Sequence, residues 1–425
     1  MMELSRLSGV ETCVHKFGGS SLKEASSFIR VANILIENTK GYKGSFVVVS
    51  AAGKSTNHLI EIANKSKSEP LVANTILEEL FSYQNKLIDA VKNITLQEEL
   101  KTSLYKDVNN LKNMIEMSSS SQFELAYWVC FGEVWSARLL AAVLSDFEIP
   151  ALFVDARDFL SVANNEVDFE LSVSKLRSLE LRNDMIKVVT GYIAADENGR
   201  TTTLGRNGSD YSASVCARLT SASKLVFWSD VSGVYSADPN VINSAFPHPV
   251  ISWETANQLA HSGSSVLHQR TLEAVYGMGC EIQLKNSMSP NCLGTKIVER
   301  TEKYTPLVSR INNLGLLRFH PSVEVDSTYI INDFYIFDEK YYLLKPECIS
   351  KYDECKSVSL LFIHGVENGV DDLLFNEGVS PFYVWKENLE SSFIISDLPI
   401  KDEQYKSIHE LICFGGQYGE ILQTS

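Results

Sequence analysis

The chain has 425 residues, more than one ordinary globular domain, so two or three domains are expected. With 44% hydrophobic and 21% charged residues it folds around a core, which excludes disorder, collagen-like and low-complexity architectures. Lys and Arg number 38 against 53 Asp and Glu, a net charge of −15, and no basic run interrupts it; nucleic acid and anionic membrane surfaces are therefore excluded as partners.

The eight cysteines stand singly without a CxxC pair, the pattern of reduced thiols. The first twelve residues lack the basic start and apolar stretch of a signal peptide. No apolar run approaches the ~18 residues that a membrane helix needs. The expectation is a soluble, cytoplasmic protein.

In chain order, residues 12–17 form a β-prone run that stops at Gly18-Gly19-Ser20-Ser21. Residues 22–37 follow at helical period, and Ser21 with Glu24 makes a capping-box pattern. Residues 45–50 are apolar on both faces, as in a buried parallel strand. The pattern is helical from 57 to about 146. Strand-like runs return at 151–154, 186–190, 225–229 and 281–284, separated by helical segments at 209–222, 253–261 and 264–276. Strands alternating with helices predict an α/β domain, a mostly parallel sheet with helices on both faces, over residues 1–304 with a helical insertion at 57–147. From 305 the texture changes to short β-prone runs (315–319, 341–344, 358–363, 381–385, 392–395) and a weak helix at 403–412. That reads as a smaller α+β domain over 305–425.

Five segments carry chemistry. In Lys16-Phe-Gly-Gly-Ser-Ser21, two glycines between strand and helix let the backbone N–H groups of Gly18, Gly19 and Ser20 approach an anion, and Lys16 adds a point charge. The spacing is not that of a Walker A loop. In Leu204-Gly-Arg-Asn-Gly-Ser-Asp210, Ser209 and Asp210 are placed to cap a helix, and Arg206 is suited to clamp a carboxylate through two hydrogen bonds. Phe227-Trp-Ser-Asp-Val-Ser-Gly-Val-Tyr235 ends a buried strand in Ser229 and Asp230 and presents Tyr235 for a nucleobase. Glu133, after Gly132 in the helical region, is a carboxylate for a substrate ammonium. Ser50 and Thr56, in the loop after the second strand, are hydroxyls for a small polar ligand. Taken singly, each has a plain structural alternative: a tight turn with a solvated lysine, an N-cap aspartate, a β-turn, a solvated helix glutamate.

Together, KFGGSS, VVSAAGKSTN, GEVWSARL, LGRNGSDYSA and WSDVSGVYSADP resemble, in order and spacing, the aspartate kinases of the amino-acid-kinase fold. The wording is similar to the kinase portion of the type II bifunctional aspartokinase/homoserine dehydrogenases. The resemblance covers residues 12–300, and residues 306–425 only faintly resemble the ACT-type regulatory region. It implies phosphorylation of the β-carboxylate of L-aspartate by MgATP, the first step toward lysine, threonine and methionine, with Mg²⁺ carried by the nucleotide and no dedicated metal site. Carried over, Lys16 contacts the transferring phosphoryl group and Asp210 orders the phosphate-binding groups. Gly18, Gly19 and Ser20 donate backbone N–H groups. Ser50, Thr56, Glu133, Arg206 and Ser209 hold aspartate, and Ser229, Asp230 and Tyr235 match the nucleotide segment. A homodimer or larger homo-oligomer is implied.

Departures from the family pattern frame a second reading. Ser265 stands where a lysine is usual, a loss the type II subgroup shares, and Asn240 replaces an arginine. These two missing cations motivate the alternative of a pseudokinase that binds amino acid or nucleotide as a regulatory subunit. No GxGxxG motif marks a dehydrogenase module. The glycine-turn patterns of an effector site are sparse in 306–425, so strong feedback inhibition by lysine, threonine or methionine is not expected.

Overall fold

A computed structural model describes residues 12–39, 44–118, 124–262, 268–301, 305–321, 323, 325, 330–336, 339–352, 354–366, 369–386 and 391–414. The chain divides into two compact units, 1–232 with 273–293 and 233–272 with 294–425. Segment 233–272 thus groups with the C-terminal unit, although the sequence reading places it before the boundary at 304/305.

In the first unit, six parallel strands run in the order Glu281–Asn286, Lys224–Ser229, Cys13–Phe17, Phe46–Val49, Ile186–Thr190, Ala151–Val154. Parallel strands need crossovers, and the helices supplying them cover both faces. Alternation of side chains decides what each face carries. Phe17, Val47, Val49, Val188 and Trp228 pack against helices Ala25–Asn38 and Leu125–Asp146. Val14, Lys16 and Val48 point to the opposite face, where helix Gly208–Thr220 packs.

Helix Leu125–Asp146 is apolar nearly all round because both sides of it are covered. One side lies on the sheet. The other meets helices Ser55–Lys65, Pro70–Leu87 and Ile94–Met117 through Leu59, Ile62, Leu77, Leu80, Leu111, Trp128 and Trp135. Burial of a side chain such as Leu59 or Ile62, both at 0% exposure, is worth roughly 1.5–3 kcal/mol. By length and composition this helix would span a bilayer, which the sequence reading did not anticipate, but 78% of its most apolar window is buried inside the fold.

Local chemistry corrected one expected helix start. Ser21 does not cap a helix. Residues Gly19–Leu22 form a 3₁₀ turn, the α-helix begins at Ala25, and the Ser21 hydroxyl meets Ser287 Oγ at 2.7 Å instead. A long-range partner has won over a local cap.

The second unit contains an antiparallel sheet in the order Ile330–Ile336, Glu339–Leu344, Leu307–Arg318, Lys356–His364, Ser391–Ser396, Pro381–Lys386. Helices Val370–Asn376 and Asp402–Phe414 cover it through Leu373, Leu374, Tyr405, Ile408 and Ile412. The expected short run at 315–319 is the end of a 12-residue strand with a register shift between Ile311 and Leu314. A short parallel pair, Val250–Ser252 with Thr295–Val298, and helix Trp253–His261 belong to the same unit. The antiparallel sheet and its helices make a smaller α+β domain of ACT-like type. Of the helix expected at 264–276, residues 263–267 lie outside the described residues, and Gln269–Glu273 is a short helix.

Candidate active site

Parallel strands bring their C-terminal ends to one edge of the first unit, and the loops leaving that edge carry most of the residues singled out above. Lys16 is the next-to-last residue of its strand, with its side chain 12% exposed, and its Nζ meets Asp210 Oδ1 at 2.7 Å. Asp210 lies in the first turn of helix Gly208–Thr220, where the helix dipole favours a carboxylate. Neither Asp210 nor Ser209 caps that helix, contrary to expectation. The cap position belongs to Asn207, in the left-handed region at φ 51°, and it makes no side-chain bond. The helix therefore begins early enough to turn Asp210 toward Lys16.

The phosphate-type loop is stitched to the next loop by backbone. Gly53 N–H donates to Gly19 carbonyl oxygen at 3.0 Å, and Ser50 N–H donates to Phe17 carbonyl oxygen at 3.1 Å. A Cβ on Gly19 would sit 2.6 Å from Ala51 carbonyl oxygen, so only glycine permits this approach. The first N–H groups of the Gly19–Leu22 turn have no partner within it, which is the donor arrangement an anion needs. Gly18 and Gly19 are half-buried, and Ser20 is exposed.

Glu133 enters from the opposite side of the same loop. Its Oε1 accepts from Ala51 N–H at 3.3 Å, while Oε2 is buried with no hydrogen-bond partner. The residue is 2% exposed. Burial raises its carboxyl to about 8, against the opposing pull of backbone hydrogen bonds, including that from Ala51. Gly132 makes the approach possible, since a Cβ there would lie 2.7 Å from Ala51 Cβ. A buried carboxylate with one open oxygen is a ready partner for a cation brought by a ligand.

Ser50 and Thr56 are half-buried on either side of that loop, Thr56 in the first turn of helix Ser55–Lys65. Arg206 is exposed in the loop leading to Asn207 and forms no ion pair among the described residues. Ser209 abuts Gly191, where a Cβ would lie 2.8 Å from both Ser209 Oγ and Val49 carbonyl oxygen.

Ser229 ends its strand with its hydroxyl bonded to the Val231 backbone, and Asp230 is exposed. Tyr235 belongs to the second unit, where its backbone bridges Pro247. Asn240, also there, is held by Asp238 Oδ1, which accepts from its backbone N–H at 2.9 Å and its amide at 3.0 Å. Ser265 lies outside the described residues.

Sequence reasoning missed the supports. Asn286 Nδ2 donates to Asp230 carbonyl oxygen at 3.2 Å, and Ser287 Oγ donates to Ser229 carbonyl oxygen at 3.0 Å, so the end of one strand holds the segment leaving its neighbour. The signal was a buried run ending in the polar pair Asn286-Ser287, the same pattern noticed at Ser229-Asp230. Gly191 follows a buried strand just as Gly18 does. Gln84, discussed below, gave no signal, because it is one polar residue in a long helix.

Among the described residues no cluster of three or more His, Cys, Asp or Glu is placed to hold a metal ion. The donor set described, an ammonium, backbone N–H groups and isolated carboxylates, suits an anionic ligand.

Comparison with known proteins agrees with this geometry. The model of the amino acid kinase family matches residues 11–286. Bifunctional aspartokinase/homoserine dehydrogenase 2 of Escherichia coli (strain K12) is 38% identical over 288 residues, covering 67% of this chain and 35% of that protein. Aspartokinase 1, chloroplastic, of Arabidopsis thaliana is 28% identical, covering 77% of this chain and 60% of that protein. The chain thus spans about a third of the length of the bifunctional relatives it matches. Among solved structures, E. coli aspartokinase III in complex with aspartate and ADP superposes with a TM-score of 0.79 at 20% identity, covering 97% of this chain and 100% of that one. Clostridium acetobutylicum aspartate kinase gives 0.69 at 18% identity, covering 94% and 99%. These likenesses show the amino-acid-kinase fold with its ACT-like domain. With its family model matched across the parallel-sheet segment and the glycine turns and Lys16–Asp210 pair in place, the chain belongs to the amino acid kinase family.

Proposed function

We propose that the protein is an aspartate kinase, transferring the γ-phosphoryl group of ATP to the β-carboxylate of L-aspartate to give 4-phospho-L-aspartate, the first step toward lysine, threonine and methionine. The observation that carries the reading is Glu133: a buried carboxylate oxygen left open beside the Gly19–Gly53 loops, suited to the ammonium of an amino acid. Arg206 on its exposed loop takes the α-carboxylate in two parallel hydrogen bonds. Ser50, Thr56 and Ser209 supply the remaining polar contacts. Lys16 neutralises the transferring phosphoryl group. Asp210 holds the ammonium of Lys16 in place, and Gly19 and Ser20 donate backbone N–H groups to the phosphates, while the Gly18 N–H is turned to the Trp228 carbonyl oxygen at 3.5 Å. Ser229 and Asp230 serve the nucleotide.

Mg²⁺ would arrive with ATP and supply charge neutralisation beyond what Lys16 alone can give. The chain's own residues bind, orient and neutralise. No general base is needed, since the aspartate β-carboxylate, with an ordinary pKa of about 3.9, is ionised at pH 7. Residues 1–304 form the catalytic domain in this reading, and 305–425 a regulatory and dimerisation domain in a cytoplasmic homo-oligomer.

Trapping the acyl phosphate with hydroxylamine tests the activity. Aspartyl hydroxamate dependent on MgATP is the expected product. ATP binding without hydroxamate from any carboxylic acid would replace the kinase with the regulatory-subunit reading.

A further inference from the structure

Gln84 lies in the last turn of helix Pro70–Leu87 and is only 3% exposed. A buried carboxamide needs a partner, and its Nε2 donates to Ser55 Oγ at 2.7 Å. Ser55, at 0% exposure, in turn donates its hydroxyl to Ala52 carbonyl oxygen at 2.6 Å. The hydroxyl has one hydrogen, so accepting from Gln84 leaves that hydrogen directed at Ala52. The chain Gln84–Ser55–Ala52 ends on the loop whose Ala51 N–H holds Glu133 and whose Gly53 N–H holds Gly19. Thr56 is the next residue along. On its other side Gln84 borders a cavity of ≈ 20 Å³, room for about one water, lined also by Ser103, Trp135 and Arg138.

We infer that Gln84 is a positioning residue for the amino-acid substrate, fixing the 51–56 loop through the Ser55 hydroxyl so that Glu133 and Thr56 are set for binding. The inference rests on the aspartate kinase reading. Replacing the amide removes a donor that Ser55 accepts, frees the hydroxyl rotor, and lets the loop relax. Binding geometry of this kind is sensitive, since a displacement of about 1 Å remote from the chemistry can cost on the order of 10²-fold.

The test is steady-state hydroxamate kinetics on the full chain, wild type against Gln84→Leu and Gln84→Glu. Gln84→Leu should raise KM for aspartate by roughly 5- to 20-fold and leave KM for ATP within about twofold, as expected for loss of one buried hydrogen bond near a single substrate. Gln84→Glu separates positioning from packing. Its ionised carboxylate only accepts, which draws the Ser55 hydrogen away from Ala52, whereas its protonated form donates as the amide does. The ratio of its aspartate KM to that of wild type should fall as pH is lowered. A purely structural role would give no such pH-dependent rescue. Aspartyl hydroxamate formation by wild type with unchanged aspartate KM in both variants overturns the inference alone. Equal loss for aspartate and ATP, or a pH-independent ratio in Gln84→Glu, overturns it as well. Absence of aspartate-dependent hydroxamate in wild type overturns the functional reading together with the inference.

Discussion

Two buried ionisable groups on the same face of the parallel sheet end differently. His15 and Glu133 are 1% and 2% exposed. Both ring nitrogens of His15 are engaged: Trp228 Nε1 donates to Nδ1 at 3.1 Å, and Nε2 meets Cys13 Sγ at 3.3 Å. Glu133 uses one oxygen and leaves the other open. Burial drives His15 down to about 3 and Glu133 up to about 8, so both are neutral near pH 7 in the unliganded protein. The difference is satisfaction. His15 is satisfied within the fold, whereas Glu133 keeps one buried oxygen without a partner, the oxygen that the proposed reading gives to the substrate ammonium.

The hardest test of the site concerns the ion pair at the strand end. Lys16→Ala removes the charge that meets Asp210, and on the proposed reading turnover should fall by about 10³-fold, the scale of losing a transition-state contact. Hydroxamate assays check it, and a variant with wild-type turnover would dismantle the site assignment.

Glu133→Gln should raise KM for aspartate by roughly 10- to 150-fold, from loss of a charge-assisted contact, while KM for ATP stays put. The same substitution probes the open oxygen itself. Because an incoming ammonium favours the ionised carboxylate, binding of aspartate below pH 8 should release a proton from Glu133. Calorimetry in two buffers of different ionisation heat would show that release, and Glu133→Gln should abolish it.

Of about tenfold size is the effect of Ser265→Lys, which restores the cation usual in the family: KM for ATP should drop by roughly ten- to thirtyfold if the side chain reaches the phosphates. An unchanged ATP dependence would show that the missing cation carries no weight.

A further test is stability against pH, and here the two buried groups have opposite signs. Glu133 is protonated in the folded chain and ionised in the unfolded chain between their two pKa values, from about 4.5 to about 8. The folded state binds more protons there, so this group's contribution to stability falls as pH rises. His15 is neutral when folded and protonated when unfolded between about 3 and 6.5. The unfolded state binds more protons, so its contribution rises with pH and is lost as pH falls through that window. The Tm of Glu133→Gln relative to wild type should therefore climb from pH 5 to pH 8, and that of His15→Gln relative to wild type should climb as pH falls from 6.5 to 4. Flat differences would mean that burial does not set these protonation states.

Much of the site was legible in the sequence because its devices are local. Glycines directly after an apolar run, as in Phe17-Gly18-Gly19, announce a turn at a strand end whatever packs around it. The strands at 13–17, 46–49, 151–154 and 186–190 were equally plain, since both faces are covered and every residue must be apolar or specially placed. Local capping was a poorer guide. Ser21, Ser209 and Asp210 carry typical cap side chains, yet each found other company: Ser21 with Ser287, Asp210 with Lys16, Ser209 against Gly191.

By itself, then, the order of residues determined the alternation of strands and helices, the glycine turns and the charge types available at the strand ends, because these depend on neighbours within a few positions. Only the tertiary structure decided which of those charges meet and which stay open. Lys16 and Asp210 are 194 positions apart, Ala51 and Glu133 82, and Gln84 and Ser55 29. The pKa of Glu133, the Gln84 bond to the Ser55 hydroxyl and the support of Ser229 and Asp230 by Ser287 and Asn286 all arise from burial and from contacts between elements distant in the chain.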